Sequence, residues 1–459
     1  MMRWIVCACA LTLQLSAQPL LLDDVLGSVE ANYPPLLATL LERDVTSGSA
    51  QQARGQFDTQ LGVTVGADEF GFYPNQRLDV GVSQNLRWQG ASAYSGWRIG
   101  TGDFPTYRGL DDTRSLGELR AGFKLPLLRG REIDERRAGL AQAQIGQSIA
   151  DLTIDQQRLV VRQLAAIRYW DWVAAGQRLR IAQDLLRVAT ERDQALRDAA
   201  QLGAVAQVEV TENQRQILQR EAQIIEAQRG VQQASIALSL FYRDASGQPR
   251  LAEVRQLPGN LPATEVLAET QEALDLELAL SKRPEIATVA AQRQQTRIDI
   301  DLASNQTRPS LDLGVGVTTE GGSGAVKRGP SELKATLTFQ VPWQRRVAEG
   351  KLQQASAKHS QLTQRERFVR DQVTAEVRDA ASAVRASHQR TLLAAREVIV
   401  ALDLADAERE RFRLGDSTLF LVNLREQAAV DAELRLVAAN LDYLRAKTTY
   451  DQVTAKLLA

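Results

Sequence analysis

Thirteen prolines occur in the 459 residues, and none falls between Leu127 and Gln248 or between Trp343 and Ala459. A proline inside a helix removes a backbone donor and clashes with the preceding turn, so proline-free runs of this length predict two blocks of very long helices. Each block follows an alternating segment that ends in a proline dipeptide, Leu125-Pro126 or Val341-Pro342. Each is broken once, at Gln201-Leu202-Gly203 and at Arg413-Leu414-Gly415. The order strands, proline, long helix, Leu-Gly turn, second helix therefore occurs twice, which reads as an internal duplication.

The N-terminus sets the compartment. Met1–Ala17 has a basic start at Arg3, an apolar run from Trp4 to Leu15 and small residues before Gln18, the pattern of a signal peptide cleaved after Ala17. Cys7 and Cys9, the two cysteines of the chain, both lie in it. The mature chain then lacks a thiol, which excludes disulfides, thiolate metal sites and cysteine nucleophiles. Beyond Ala17 no apolar stretch is long enough for a transmembrane helix, so any membrane crossing must use strands closed into a barrel. A formal net charge of −1, with both signs mixed along the chain, gives no electrostatic reason to expect nucleic acid. Aromatics are 5% of residues against 44% hydrophobic in all, so Ala, Leu and Val supply the apolar surface, as helix-on-helix packing requires.

Six segments alternate with period two. Four lie in the first half, around Leu61-Val63-Val65, Leu78-Val80-Val82, Ala93-Trp97-Ile99 and Leu119-Ala121-Phe123; two lie in the second, around Leu311-Leu313-Val315 and Leu333-Ala335-Leu337. About ten residues each suits a tilted strand crossing a bilayer. Gln89-Gly90 is a tight join, whereas the other connections are long and rich in Gly, Pro and charge. Short turns on one side and long loops on the other match an outer-membrane barrel, with both helical blocks on the periplasmic side. Trp88, Trp97 and Trp343 are then candidates for the membrane-interface aromatics, and Pro126 and Pro342 for the barrel-to-helix junctions. Six strands are too few to enclose a pore, whereas three copies supply eighteen.

An unbroken helix from Arg131 to Leu202 would run about 105 Å, and Arg345 to Leu414 repeats it. Such helices need lateral partners. Val373, Val377, Ala380, Val384, Ser387, Thr391, Ala394, Val398, Ala401 and Ala405 step by four and three, a heptad seam of small residues. Val210, Ile217, Ile224, Val231 and Leu238 fall seven apart in the return helix of the first half. His359 and His388 read as packed or solvated residues. Carboxylates such as those in Asp134-Glu135-Arg136-Arg137 sit beside Arg or Lys and read as a solvated face. Gly321-Gly322-Ser323-Gly324 lacks the Lys of a phosphate loop and reads as a hairpin loop. No catalytic constellation, cofactor site or metal site is visible, so the chain is not read as an enzyme.

Taken with Leu20-Leu21-Leu22-Asp23-Asp24-Val25, Asn32-Tyr33-Pro34, Arg283-Pro284-Glu285-Ile286, Arg308-Pro309-Ser310-Leu311-Asp312-Leu313 and Arg413-Leu414-Gly415-Asp416-Ser417, the mature chain resembles the TolC family of outer-membrane efflux ducts. The resemblance implies a mixed, mainly α fold. In it, very long coiled-coil hairpins form a periplasmic α-barrel, joined to a transmembrane antiparallel β-barrel in outer-membrane lipid and shared by a homotrimer. It implies passive export, with energy from an inner-membrane pump reached through a periplasmic adaptor that docks on the tips Leu202, Gly203, Ala204 and Leu414, Gly415, Asp416, Ser417. Phe412 matches a tip aromatic of the family, with core packing as an equal account. Leu421 and Leu424 stand where some members carry acidic gate rings, which implies a more apolar constriction.

Family members usually contribute two strands per half. The hairpin around Gln89-Gly90 therefore either enlarges the barrel to eighteen strands or lies on one of twelve. The expected organisation is 1–17 signal peptide; 18–56 first-half helices; 57–127 four strands; 128–242 helical hairpin with its tip at 202–204; 243–263 linker; 264–306 second-half helices; 307–342 two strands; and 343–459 second hairpin with its tip at 414–417. A non-porous periplasmic or surface coiled-coil scaffold is the alternative function.

Overall fold

In the computed structural model the described residues are 18–106, 111–324 and 331–458; the expected signal peptide lies outside them. Three short helices, α1 (Leu22–Asn32), α2 (Pro34–Leu40) and α3 (Glu42–Gly55), precede four strands, β1 (Gln60–Asp68), β2 (Asn75–Asn85), β3 (Ser92–Gly102) and β4 (Glu118–Pro126). The long hairpin α4 (Glu135–Gln201) and α5 (Gln207–Ser239) follows. The second half consists of α6 (Glu269–Lys282), α7 (Pro284–Gln306), β5 (Ser310–Glu320), β6 (Ser331–Gln340), α8 (Arg346–Arg413) and α9 (Leu419–Val453). The chain is mainly helical. None of its described helices is long and apolar enough to cross a membrane.

Two compact units divide it. One contains Leu40–Thr153 and Pro284–Arg370 and holds all six strands, in a single antiparallel sheet of order β1-β2-β3-β4-β5-β6. The register separates the side chains strictly. One row reads Leu61, Val82, Ser95, Ala121, Val317, Leu333 across the strands, and its neighbour begins Val63, Val80, Trp97, Leu119. On the opposite face the rows read Thr64, Asp79, Arg98, Glu118, Glu320 and Gly62, Gly81, Gly96, Arg120, Thr318, Glu332. Period-two pleating puts every apolar residue of these rows on one side. That side is open, with Leu61 70% and Leu333 78% exposed in the single chain. The polar side carries ion pairs: Arg120 to Asp79 at 2.5 Å, Arg98 to Glu118 at 2.5 Å and Lys124 to Asp312 at 3.3 Å.

The β2–β3 join contains a β-turn in which the Ala91 amide bonds the Trp88 carbonyl at 3.0 Å, with Gln89 at φ +47° and Gly90 at φ +69° at its centre. A Cβ at Gly90 would meet the Gly130 carbonyl oxygen at 2.3 Å, so only glycine fits there. Two expectations about the start of α4 need correction. Asp134 is not a solvated surface acid: it caps α4, its Oδ1 accepting from the Arg136 and Arg137 amides at 2.9 and 3.0 Å, and α4 therefore starts at Glu135 rather than near Arg131. Trp97, a candidate interface aromatic, lies on β3, which continues to Gly102, with its indole N–H donating to the Leu116 carbonyl at 2.9 Å.

The other unit comprises residues up to Thr39, Ile154–Arg283 and Asp371 onward. Its core gathers Val25, Val29, Leu36, Val161, Ala165, Trp172, Val173 and Leu238 around the middle of α4, α5 and α1. Trp172 is fully buried, and Tyr33 stacks on Phe241 at 5.2 Å between ring centroids. Along α8 the heptad seam is buried at Val373, Val377, Ala380, Val384, Ser387, Thr391 and Ala405 and half-buried at Ala394, Val398 and Ala401. His388 is buried, its Nδ1 3.0 Å from the Thr264 hydroxyl.

Candidate functional site

The two long hairpins turn in the same way. At the end of α4 the Ala204 amide bonds the Ala199 carbonyl at 2.9 Å and Gly203 bonds Ala200 at 3.0 Å, with Gly203 at φ +71°. At the end of α8 the Asp416 amide bonds the Arg411 carbonyl at 2.8 Å and Gly415 bonds Phe412 at 3.0 Å, with Gly415 at φ +80°. This paired closure satisfies the last carbonyls of a helix and needs a left-handed residue, which is why glycine follows leucine at each turn. Leu202 and Leu414 are left 84% and 70% exposed. Ala204 and Asp416 are exposed as well. Asp416 accepts from the Arg411 Nε at 3.1 Å, and the Ser417 hydroxyl donates to Glu408.

Just behind the turns the four helices are tied by one carboxylate. Glu426 on α9 has a side chain with no exposed surface. Its Oε1 accepts from Arg192 Nη2 of α4 at 2.5 Å and from Arg409 Nε of α8 at 2.9 Å, and its Oε2 accepts from Arg220 Nη2 of α5 at 3.0 Å. Arg220, 3% exposed, also donates to the Leu185 carbonyl at 2.9 Å, and Arg192 donates to Asn423 at 3.1 Å. Asn213 of α5 adds a bond from its Nδ2 to Asp193 of α4 at 3.1 Å. Burial opposes ionisation of Glu426, but donation from Arg192, Arg409 and Arg220 outweighs it and holds the carboxyl below its ordinary range. Burial lowers Arg220, against the pull of Glu426.

An apolar contact accompanies the knot. Leu196, Val210 and Leu419 are buried together, with Phe412 packed against them. The candidate constriction residues therefore divide: Phe412 belongs to the packing between helices, whereas Leu421 and Leu424, 37% and 52% exposed, stand open on α9. Of the candidate membrane-interface residues, Trp88 and Trp343 are exposed by the ends of β2 and β6. Pro126 closes β4 and is buried; Pro342 follows β6 and is exposed.

Glu426, Arg220 and Asn213 are not among the residues that the sequence pattern singles out. A signal was present: Val210, Ile217, Ile224, Val231 and Leu238 are one set of heptad core positions, and Asn213 and Arg220 occupy the interleaved set, where a polar residue must find a partner or pay for burial.

Residues 276–455 match the family model described as outer membrane efflux protein. No curated protein matches the chain. Among solved structures, the fold resembles the open-state MtrE outer membrane channel of Neisseria gonorrhoeae at TM-score 0.65 and 16% identity, covering 95% of this chain and 88% of that one. It resembles the outer membrane protein VceC of Vibrio cholerae at 0.64 and 15%, covering 95% and 96%. A membrane protein of Pseudomonas aeruginosa gives 0.64 and 16%, covering 94% and 93%.

Proposed function

We propose that this chain, whose residues 276–455 match the outer membrane efflux protein model, is the outer-membrane duct of a tripartite export system. Three copies share a β-barrel in the outer membrane, and their helices form a periplasmic conduit whose tips dock a periplasmic adaptor. Solutes delivered by an inner-membrane pump pass through it without energy input of its own. The observation that carries this reading is the two-faced sheet. An exposed apolar side facing lipid and a polar, ion-paired side facing water is what a barrel wall requires, and a scaffold has no use for it.

Opening is the step at which the helical tips act. With Glu426 bonded to Arg192, Arg220 and Arg409, α4, α5, α8 and α9 are held as one body. An adaptor that contacts the separated hairpins better than the tied ones shifts the population toward the open form by that difference in affinity. Leu202 and Leu414, with Gly203, Ala204, Gly415, Asp416 and Ser417, supply the docking surface. Leu421 and Leu424 supply the apolar narrowing. Reconstitution into planar bilayers tests the reading. Ion conductance that rises when the Glu426 tie is broken is expected, and silence of both the native and the untied protein would leave only a scaffold.

A further inference from the structure

The sheet of one chain is unfinished on two sides: among the described residues β1 pairs with β2 alone, and β6 with β5 alone. In a bilayer each unpaired backbone group at such an edge costs several kcal/mol, so both edges must be covered. With six antiparallel strands, β1 and β6 run in opposite directions, so β6 of one chain can continue the antiparallel ladder onto β1 of the next. The two edges also match in length, nine residues in β1 and ten in β6. Both present apolar residues on the same face, Leu61, Val63 and Val65 on one and Leu333, Ala335 and Leu337 on the other.

The β2–β3 hairpin is inside this wall. Every residue of β1 from Gln60 to Asp68 pairs with β2, and β3 pairs onward with β4, so β1 and β4 do not touch. From this geometry we infer that the occupant of both edges is a second copy of this chain, and that the closed ring has eighteen strands, all six of each chain lying in the barrel wall. This inference rests on the trimeric channel proposed above and goes further by fixing the wall. Diameter grows roughly linearly with strand number, so an eighteen-strand wall is about one and a half times as wide as a twelve-strand one and leaves a water-filled lumen. The lumen face is lined by opposite charges paired within the chain, such as Arg120 with Asp79, so it offers bulky polar solutes room without favouring one sign.

The test uses the full-length protein in outer membranes, with Cys7 and Cys9 as its sole native cysteines. Cysteine pairs are introduced with one member at Leu61, Val63 or Val65 and the other at Leu333, Ala335 or Leu337. Oxidation of one register set is expected to give a covalent ring of three chains, reversed by reductant. Val63→Cys with Val80→Cys, partners in the β1–β2 ladder, should link within one chain. Trimers that stay uncrosslinked at all nine combinations would overturn the inference, as would Val63→Cys linking to β4 rather than β2. A second measurement removes residues 69–103, which preserves strand alternation. The barrel diameter, read by exclusion of graded polyethylene glycols added from outside, should fall by about a third. An unchanged limit with normal conductance refutes the eighteen-strand wall alone, whereas absence of conductance in every form refutes the channel itself.

Discussion

Replacing Glu426 with glutamine tests how the hairpins are held together. The side chain keeps its volume but loses its charge, and one accepting oxygen becomes a donor aimed at a guanidinium. With the amide nitrogen in place of Oε2, Arg220, 3% exposed, would retain only the Leu185 carbonyl, while Arg192 and Arg409 would keep the remaining oxygen. Removing one partner of a buried ion pair costs about 3–5 kcal/mol, because the remaining charge is left without compensation. The penalty falls on the tied arrangement, since separated hairpins can hydrate their arginines. At a factor of ten per 1.4 kcal/mol, the ratio of open to closed channels should rise on the order of a hundredfold or more. In planar bilayers the variant should dwell in a conducting state that the native protein visits rarely. Cells carrying it should admit a large hydrophilic antibiotic that an intact outer membrane excludes. Glu426→Gln combined with Arg220→Met removes both halves of the most buried pair and should recover part of the closure, because no uncompensated buried charge is left at that position. Native gating and unchanged thermal stability in Glu426→Gln would refute the reasoning outright.

Further outcomes follow from other parts of the structure. Glu426 has a folded pKa below its unfolded value of about 4.3, so its stabilisation is complete above that value and is lost as pH falls through the folded one; channel opening and thermal unfolding should both rise with acidification only in that acid window, and not between pH 6 and 8. Gly203→Val and Gly415→Val place a β-branched residue at φ +71° and +80° at a local cost of about 1–2 kcal/mol. With nothing within 4 Å of either glycine, trimers should persist in the membrane while export is lost, and unchanged export in a drug-accumulation assay would count against the tips as docking sites. Val63→Lys on the exposed apolar face should reduce membrane insertion at a cost of about 2–4 kcal/mol at mid-bilayer, whereas Thr64→Lys on the opposite face should insert normally; equal yields of membrane-embedded trimer would contradict the assignment of faces.

The strands and helix ends were legible because their signals are local. Alternation at Leu61-Val63-Val65 or Leu333-Ala335-Leu337 follows from pleating, and the Leu-Gly pairs at 202–203 and 414–415 follow from the left-handed conformation that ends a helix. The α8 seam was legible for the same reason: small apolar residues at intervals of four and three are buried wherever another helix lies against them. Glu426 was not, because its burial depends on arginines from three other helices, spread from Arg192 to Arg409. A carboxylate following Arg425 looks like any solvated acid until its partners are brought in. Asp134 was misread for a smaller reason, since Asp-Glu-Arg-Arg is as much a helix start as a charged surface, and only the two accepted amide bonds decide between them.

One feature of the sheet bears on how the chain comes to be made. β4 and β5 lie side by side, yet α4, α5, α6 and α7 separate them along the chain. The first four strands form a meander of short-range contacts, but the six-stranded sheet cannot be completed until nearly three quarters of the polypeptide has been made. Drawing the two segments together from a disordered chain costs on the order of 5 kcal/mol in loop-closure entropy. Helices already folded over the intervening residues would shorten that search considerably. For the barrel proposed above, biogenesis is therefore expected to run from the helices toward the membrane, with a half-built sheet whose apolar side needs shielding in the meantime, and with insertion coming last.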